Sequence, residues 1–144
     1  MNKLQFLAGN WEGDAWLLRG PGLSVDMIQT EKAEYRLDGL LLLIEGVGRA
    51  KADNSPVLQA LGVISYDDTT ETYTMRAFND GRFLETEMKL LPDGEGLTWG
   101  FTFGEYKTST VLRIDEKGQW TELAHITVGG QGPFKLLELA VSRR

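Results

Sequence analysis

The side chains best suited to chemistry in this chain are carboxylates set into otherwise apolar strands. Val25, Met27, Ala33, Tyr35 and Leu37 recur on alternate residues, and Gln29 and Glu31 interrupt them. Glu122 interrupts Trp120, Ala124, Ile126 and Val128; Glu45 interrupts Leu41, Leu43 and Val47; Glu138 interrupts Phe134, Leu136 and Ala140. A carboxylate buried without a partner is costly or takes up a proton. Arg19, Arg49 and Arg76 are the cations at hand, although Arg76 falls in the more polar column of its strand. If these columns face an interior, Gln29, Glu31, Glu45 and Glu122 make a hydrogen-bonding patch in an apolar cavity, the usual make-up of a small-molecule site. If a bulge shifts the register, one or more of the carboxylates faces water instead.

Other reactive groups specify less. His125 is the only histidine and falls with Gln119, Thr121, Leu123 and Thr127, opposite the apolar column of its strand. As an axial haem ligand or a general base it would need an inward-facing ring; a histidine in that column otherwise reads as a surface residue. With no second histidine and no cysteine, a non-haem metal site is not expected. Ser24, Ser55, Ser65, Ser109 and Ser142 sit in no nucleophile motif. Glu85 with Glu87, or Glu31 with Glu45, could be written as acid–base pairs, but carboxylates two apart in a strand also describe a solvated face. No phosphate-cradling glycine motif is present.

What must position these groups is a run of short strands. Turn compositions recur at Gly20-Pro21-Gly22, Asp38-Gly39, Ala52 to Pro56, Asp67 to Thr70, Asp80-Gly81, Pro92 to Gly96, Gly104-Glu105, Asp115 to Gly118 and Gly129 to Pro133. Asp-Gly suits two-residue hairpins, whose central residues need positive φ. Between turns the period is two: Leu97, Trp99, Phe101 and Phe103 alternate with Thr98, Gly100, Thr102 and Gly104, and Leu84, Met88 and Leu90 oppose Glu85, Glu87 and Lys89. Trp11 shares a column with Gly13, Ala15 and Leu17, and Tyr73 with Met75 and Ala77. Residues 2–8 fit one helical turn. No connection is long enough for a crossover helix or a Greek key, so neighbours pair antiparallel. About ten such strands would leave two bare edges unless the sheet closes. The expected fold is therefore all-β, a closed antiparallel up-and-down meander barrel of about ten strands with a short N-terminal helical turn, forming one domain over 1–144. A barrel of that size encloses more than its own side chains fill.

Composition limits the partners. Hydrophobic residues at 42% and charged residues at 25% describe a folded globular chain. A net charge of −6 with scattered Lys and Arg argues against nucleic acid or an anionic membrane. No apolar run approaches the roughly 20 residues a spanning helix needs. Met1 to Gly9 lacks the apolar stretch of a secretory leader, so a cytoplasmic location is expected for a native N-terminus. Leu40 to Ile44 and Leu136 to Leu139 are apolar on both faces, so their facing is ambiguous, and an outer apolar surface there would suit a homodimer.

Leu7, Gly9, Trp11 and Gly13, read together as residues 7–13, resemble the opening of the calycins: lipocalins, fatty-acid-binding proteins and the haem-binding nitrobindins. Leu43 to Gly46, Ile64 to Asp67 followed by Tyr73 to Arg76, and the Leu137 to Arg143 ending look like an uncharacterised bacterial branch of lipocalin-like proteins. The resemblance implies a barrel with an apolar-ligand cavity, Trp11 packed across its closed end, and Arg143 or Arg144 lying over that indole. The chain departs from those families in lacking the histidine of the nitrobindin last strand, the room between Leu18 and Val25 for a helical lid, and any cysteine.

The expected function is binding of a small apolar or amphipathic molecule inside the barrel, with no resident cofactor. Met88, Trp99 and Phe101 would supply contact area, and Gln29, Glu31, Glu45 and Glu122 would orient a polar end. Two alternatives stay open: a calycin-type enzyme, such as an isomerase or decarboxylase, using a buried glutamate as acid or base, and haem binding through His125.

Overall fold

The computed structural model describes residues 1–79 and 81–144. A 3-10 helix over Asn2–Leu7 leads into β1 (Gly9–Gly20), β2 (Leu23–Arg36), β3 (Leu41–Ala50), β4 (Pro56–Asp67) and β5 (Thr72–Asn79). Then follow β6 (Arg82–Leu90), β7 (Gly96–Phe103), β8 (Tyr106–Ile114), β9 (Trp120–Val128) and β10 (Gln131–Arg143). Each strand pairs antiparallel with the next, and β10 pairs with β1, so the meander closes into a barrel. Closure removes both sheet edges, as the short connections predict. The β2–β3 turn shows the local chemistry: Leu37, Asp38 and Gly39 take φ of 53°, 60° and 89°, the positive values that Asp-Gly tolerates. In the expected Asp80-Gly81 turn, Gly81 has φ 74° and Asp80 lies outside the described residues.

The barrel has unlike ends. At one, the helix buries Leu4 and Leu7 against Trp11, whose indole N–H donates to the Leu7 carbonyl at 2.9 Å. Trp120 meets the Trp11 ring edge-on, with centroids 5.4 Å apart. Arg143 lies 4.2 Å over the Trp11 ring and donates to the carbonyls of Ala8 at 2.6 Å and Phe6 at 2.8 Å. Of the two terminal arginines it is therefore Arg143 that covers the indole, while Arg144 pairs with Glu12 at 3.6 Å. This end is closed. At the other, where β1 turns into β2 and β5 into β6, the described residues form no helix, and the end is open.

Alternation places most columns as expected. Met27, Gln29, Glu31 and Ala33 of β2 are buried, as are Trp120 and Ala124 of β9 and Leu97 of β7. Two strands differ. In β3 the inward residues are Leu42, Ile44, Gly46 and Gly48, so the column of Leu41, Leu43, Glu45 and Val47 faces out and Glu45 is exposed. Leucine on both faces hid the direction, and burying the column that carries no charge is the cheaper solution. In β10 the register shifts between Lys135 and Leu137. The bulge turns Leu137, Leu139 and Val141 inward and leaves Glu138 outside, bonded to Lys135 at 2.9 Å.

The wall also has a seam. Among the described residues, β6 and β7 pair only at Lys89–Thr98 and Leu90–Leu97, next to their turn. Beyond it their ladder ends, and the Thr86 hydroxyl joins them by donating to the Gly100 carbonyl at 2.7 Å.

Candidate functional site

The interior holds a cavity of about 570 Å³ that opens at the unlidded end. Its walls are mostly apolar: Leu58, Ala60, Met75, Leu84, Phe103, Ile126 and Leu139 line it together with Met88, Trp99 and Phe101. Gln29, Glu31 and Glu122 line it too, above a floor made by Trp120 over Trp11. Six of the seven site residues anticipated from the sequence thus surround one space. Glu45 does not; it sits on the outer face, opposite Lys32 of β2.

Register explains how two long polar side chains fit inside. Glu31 lies opposite Gly46 and Gln29 opposite Gly48. A Cβ on Gly46 would stand 2.7 Å from a Glu31 carboxylate oxygen, and one on Gly48 would stand 2.6 Å from the Gln29 carbonyl oxygen. These glycines clear the volume that Gln29 and Glu31 occupy. In the sequence Gly46 figures only in the Leu43 to Gly46 resemblance, and Gly48 is not singled out. The available signal was two glycines spaced by two in a strand whose neighbour carries two polar residues with the same spacing.

The Gln29 side-chain amide donates to Glu31 Oε1 at 3.2 Å, which leaves Gln29 Oε1, a buried acceptor, without a partner. Burial pushes the Glu31 carboxyl up to about 8; the neighbouring Glu122 charge adds to this, and the Gln29 hydrogen bond opposes it. Burial also pushes Glu122 up to about 7, opposed by the nearby Trp120 indole N–H. That indole has no hydrogen bond of proper length and angle, yet it lies close enough to favour the ionised carboxylate. Glu122 is half-buried and lines the cavity. Two acids held this way titrate as a pair and, near neutral pH, can both donate and accept protons.

The charged residues at the cavity divide by depth. Arg19 and Arg82 line it from exposed positions beside the β1–β2 and β5–β6 turns. Arg19 donates to the Val57 carbonyl at 3.1 Å, and Arg82 lies 5.2 Å over the Phe103 ring. Among the described residues no Lys or Arg forms an ion pair with Glu31 or Glu122. His125 is absent from the lining; it pairs with Ser109 and Lys135 in the outer column of β9, so the inward ring that haem ligation through it requires is missing. No group of three or more metal-ligating side chains occurs among the described residues. A second, larger depression of about 640 Å³ lies on the outside of the rim, between β4 and the β5–β6 hairpin. It is open to solvent, and its described lining residues include no carboxylate.

No family model matches the chain, and no curated protein is similar enough in sequence to count as a relative. Solved structures do match. Rv2717c from M. tuberculosis superposes with a TM-score of 0.76 over 100% of this chain and 98% of its own, at 15% identity. At that identity the likeness is one of fold alone: both chains form the same kind of barrel, which here is ten-stranded and antiparallel throughout.

Proposed function

We infer that the protein is a lipocalin-like binding protein that holds a small, mostly apolar molecule inside its barrel. The observation that carries this reading is the open cavity of about 570 Å³, apolar along its walls and polar at Gln29, Glu31 and Glu122. Ligand sites span roughly 300–1,000 Å³ and combine apolar walls with a few convergent polar groups. A solidly packed barrel would offer neither. The test is titration with the neutral fluorophore N-phenyl-1-naphthylamine, for the parent and for Ala124→Trp, which pushes an indole into the cavity from β9. Binding weakened at least tenfold in a variant with unchanged circular dichroism supports the interior site. Equal binding by both moves the probe to the outer surface and removes the reading.

A second reading is an acid–base enzyme, favoured by the raised Glu31 and Glu122 carboxyls in a shielded space. Glu31 would be the acid and Glu122 the base at neutral pH. That reading is lost if both titrate with the surface glutamates.

A further inference from the structure

The polar end of the cavity is unbalanced. It presents two carboxyls and a free amide oxygen, and the described residues place no cation beside them. Every element of the barrel contributes to the lining, yet the charged or titratable side chains among the described lining residues are Glu31, Glu122, Arg19 and Arg82 alone. The two arginines are exposed at the mouth and engaged elsewhere, one by the Val57 carbonyl and one by the Phe103 ring. Gln29 is the independent sign that something is to be received here. It is 1% exposed and lines the cavity, and with its amide nitrogen committed to Glu31 its Oε1 has no donor. A buried acceptor left in that state is destabilising unless a ligand or water supplies the donor.

We propose that the ligand is an amphipathic organic cation, an amine whose ammonium sits against Glu31, Glu122 and Gln29 Oε1 while its apolar body lies along Met88, Trp99 and Phe101. This rests on the reading of the barrel as a ligand container and names the chemical class it takes. An ammonium supplies both the positive charge the pair lacks and several N–H donors for acceptors that have none. A carboxylate at the same depth could be held only while Glu31 or Glu122 keeps a proton to donate, and would be repelled by each one that ionises. An alcohol would satisfy one or two acceptors and leave the charge imbalance in place. Gly46 gives Glu31, and Gly48 gives Gln29, room that a side chain at either position would take.

Binding is coupled to protons. In the empty cavity burial raises both carboxyls, Glu31 to about 8 and Glu122 to about 7, so at neutral pH Glu31 keeps its proton and Glu122 is part-protonated. An arriving ammonium favours the ionised carboxylates and drives those protons off, so amine affinity rises with pH between about 6 and 8, by up to tenfold per pH unit for each proton released. It levels off above that and falls once the amine itself deprotonates near ~10.4.

The experiment is calorimetric titration of the full chain with decylamine, decanol and decanoate, each below its micelle concentration, in two buffers of different ionisation enthalpy at pH 7.5. Decylamine should bind at least tenfold more tightly than either of the others and release protons. In Glu31→Gln/Glu122→Gln the amine should lose at least tenfold while decanol is retained; Glu122→Gln alone should show a smaller loss in the same direction. Tighter binding of decanoate, or an amine preference that survives the double substitution, overturns the proposal. The arms also separate it from the reading it rests on. If decanol and N-phenyl-1-naphthylamine bind without an amine preference, only the cationic head is wrong; if none of the four binds, the container reading fails with it.

Discussion

Glu31 shows how a single residue couples fold to function. It is 6% exposed, faces Gly46 across the sheet and keeps one amide hydrogen bond, so its ionised form is poorly supported. Its carboxyl lies near 8 in the fold against an ordinary 4.5, so the folded protein binds more protons than the unfolded chain between those values. Stability therefore falls as pH rises from about 5 to 8, the reverse of the gain given by a salt-bridged carboxylate. In Glu31→Gln this slope should flatten. The variant should match the parent at pH 5 and exceed it by a few kcal/mol at pH 8.5, read from urea midpoints. ¹³C NMR of the parent should place the Glu31 midpoint well above the ~4.3 of free glutamate. A Glu31 midpoint at that ordinary value, or parallel stability curves, would contradict the account.

Among the elements, the weakest join is the β6–β7 seam, where one side-chain hydrogen bond from Thr86 replaces a ladder. Strand pairs without backbone bonds open at low free energy. Peptides covering 82–88 and 99–103 should exchange amide hydrogens faster than those of the fully paired β1–β2 hairpin. Thr86→Val, which keeps the shape and removes the donor, should speed them further, by several-fold in hydrogen-exchange mass spectrometry. Unchanged exchange in the variant would mean that packing of Leu84 and Phe101 holds the seam. The seam was not legible in the sequence: Leu84, Met88, Trp99 and Phe101 alternate as well as any paired strand, and pairing partners leave no mark on a single strand's pattern. The hairpins were legible because Asp-Gly and Pro-Gly encode their own backbone angles. The facing of β2 and β9 was readable because one column of each is apolar apart from the candidate residues themselves. In β3, Leu41 to Ile44 offered leucine to both sides, so Glu45 was placed inside by pattern and outside by electrostatics. The Glu31–Glu122 neighbourhood depends on which strands lie across the barrel from one another, which only the closed fold supplies.

At the scale of the whole molecule, closure at one end and openness at the other turn a sheet into a vessel with a direction. The helix, Trp11 and Arg143 form a base whose contacts span residues 6 to 143, so the first and last strands are fastened together just where the chain ends meet. Burial of large apolar side chains is concentrated there, in Leu4, Leu7, Trp11 and Trp120. The upper barrel gives up packing to keep its space, and the two ionisable groups it encloses add a further cost. Such a trade of stability for a site is common where function needs an unfilled or polar interior.

The indoles mark this geography. Trp99 and Trp120 border the cavity, Trp11 backs Trp120, and Trp16 is outside, with the Lys135 ammonium 4.4 Å over its ring. The molecule therefore carries its own optical reporter. A molecule that displaces solvent from the half-buried Trp99 should shift its emission to the blue, and one that reaches the buried Trp120 should quench it by contact, while Trp16 stays a constant background that Trp16→Phe removes. With Glu122 beside Trp120, the brightness of the unloaded barrel should also follow the protonation of its floor, and that dependence should vanish in Glu122→Gln.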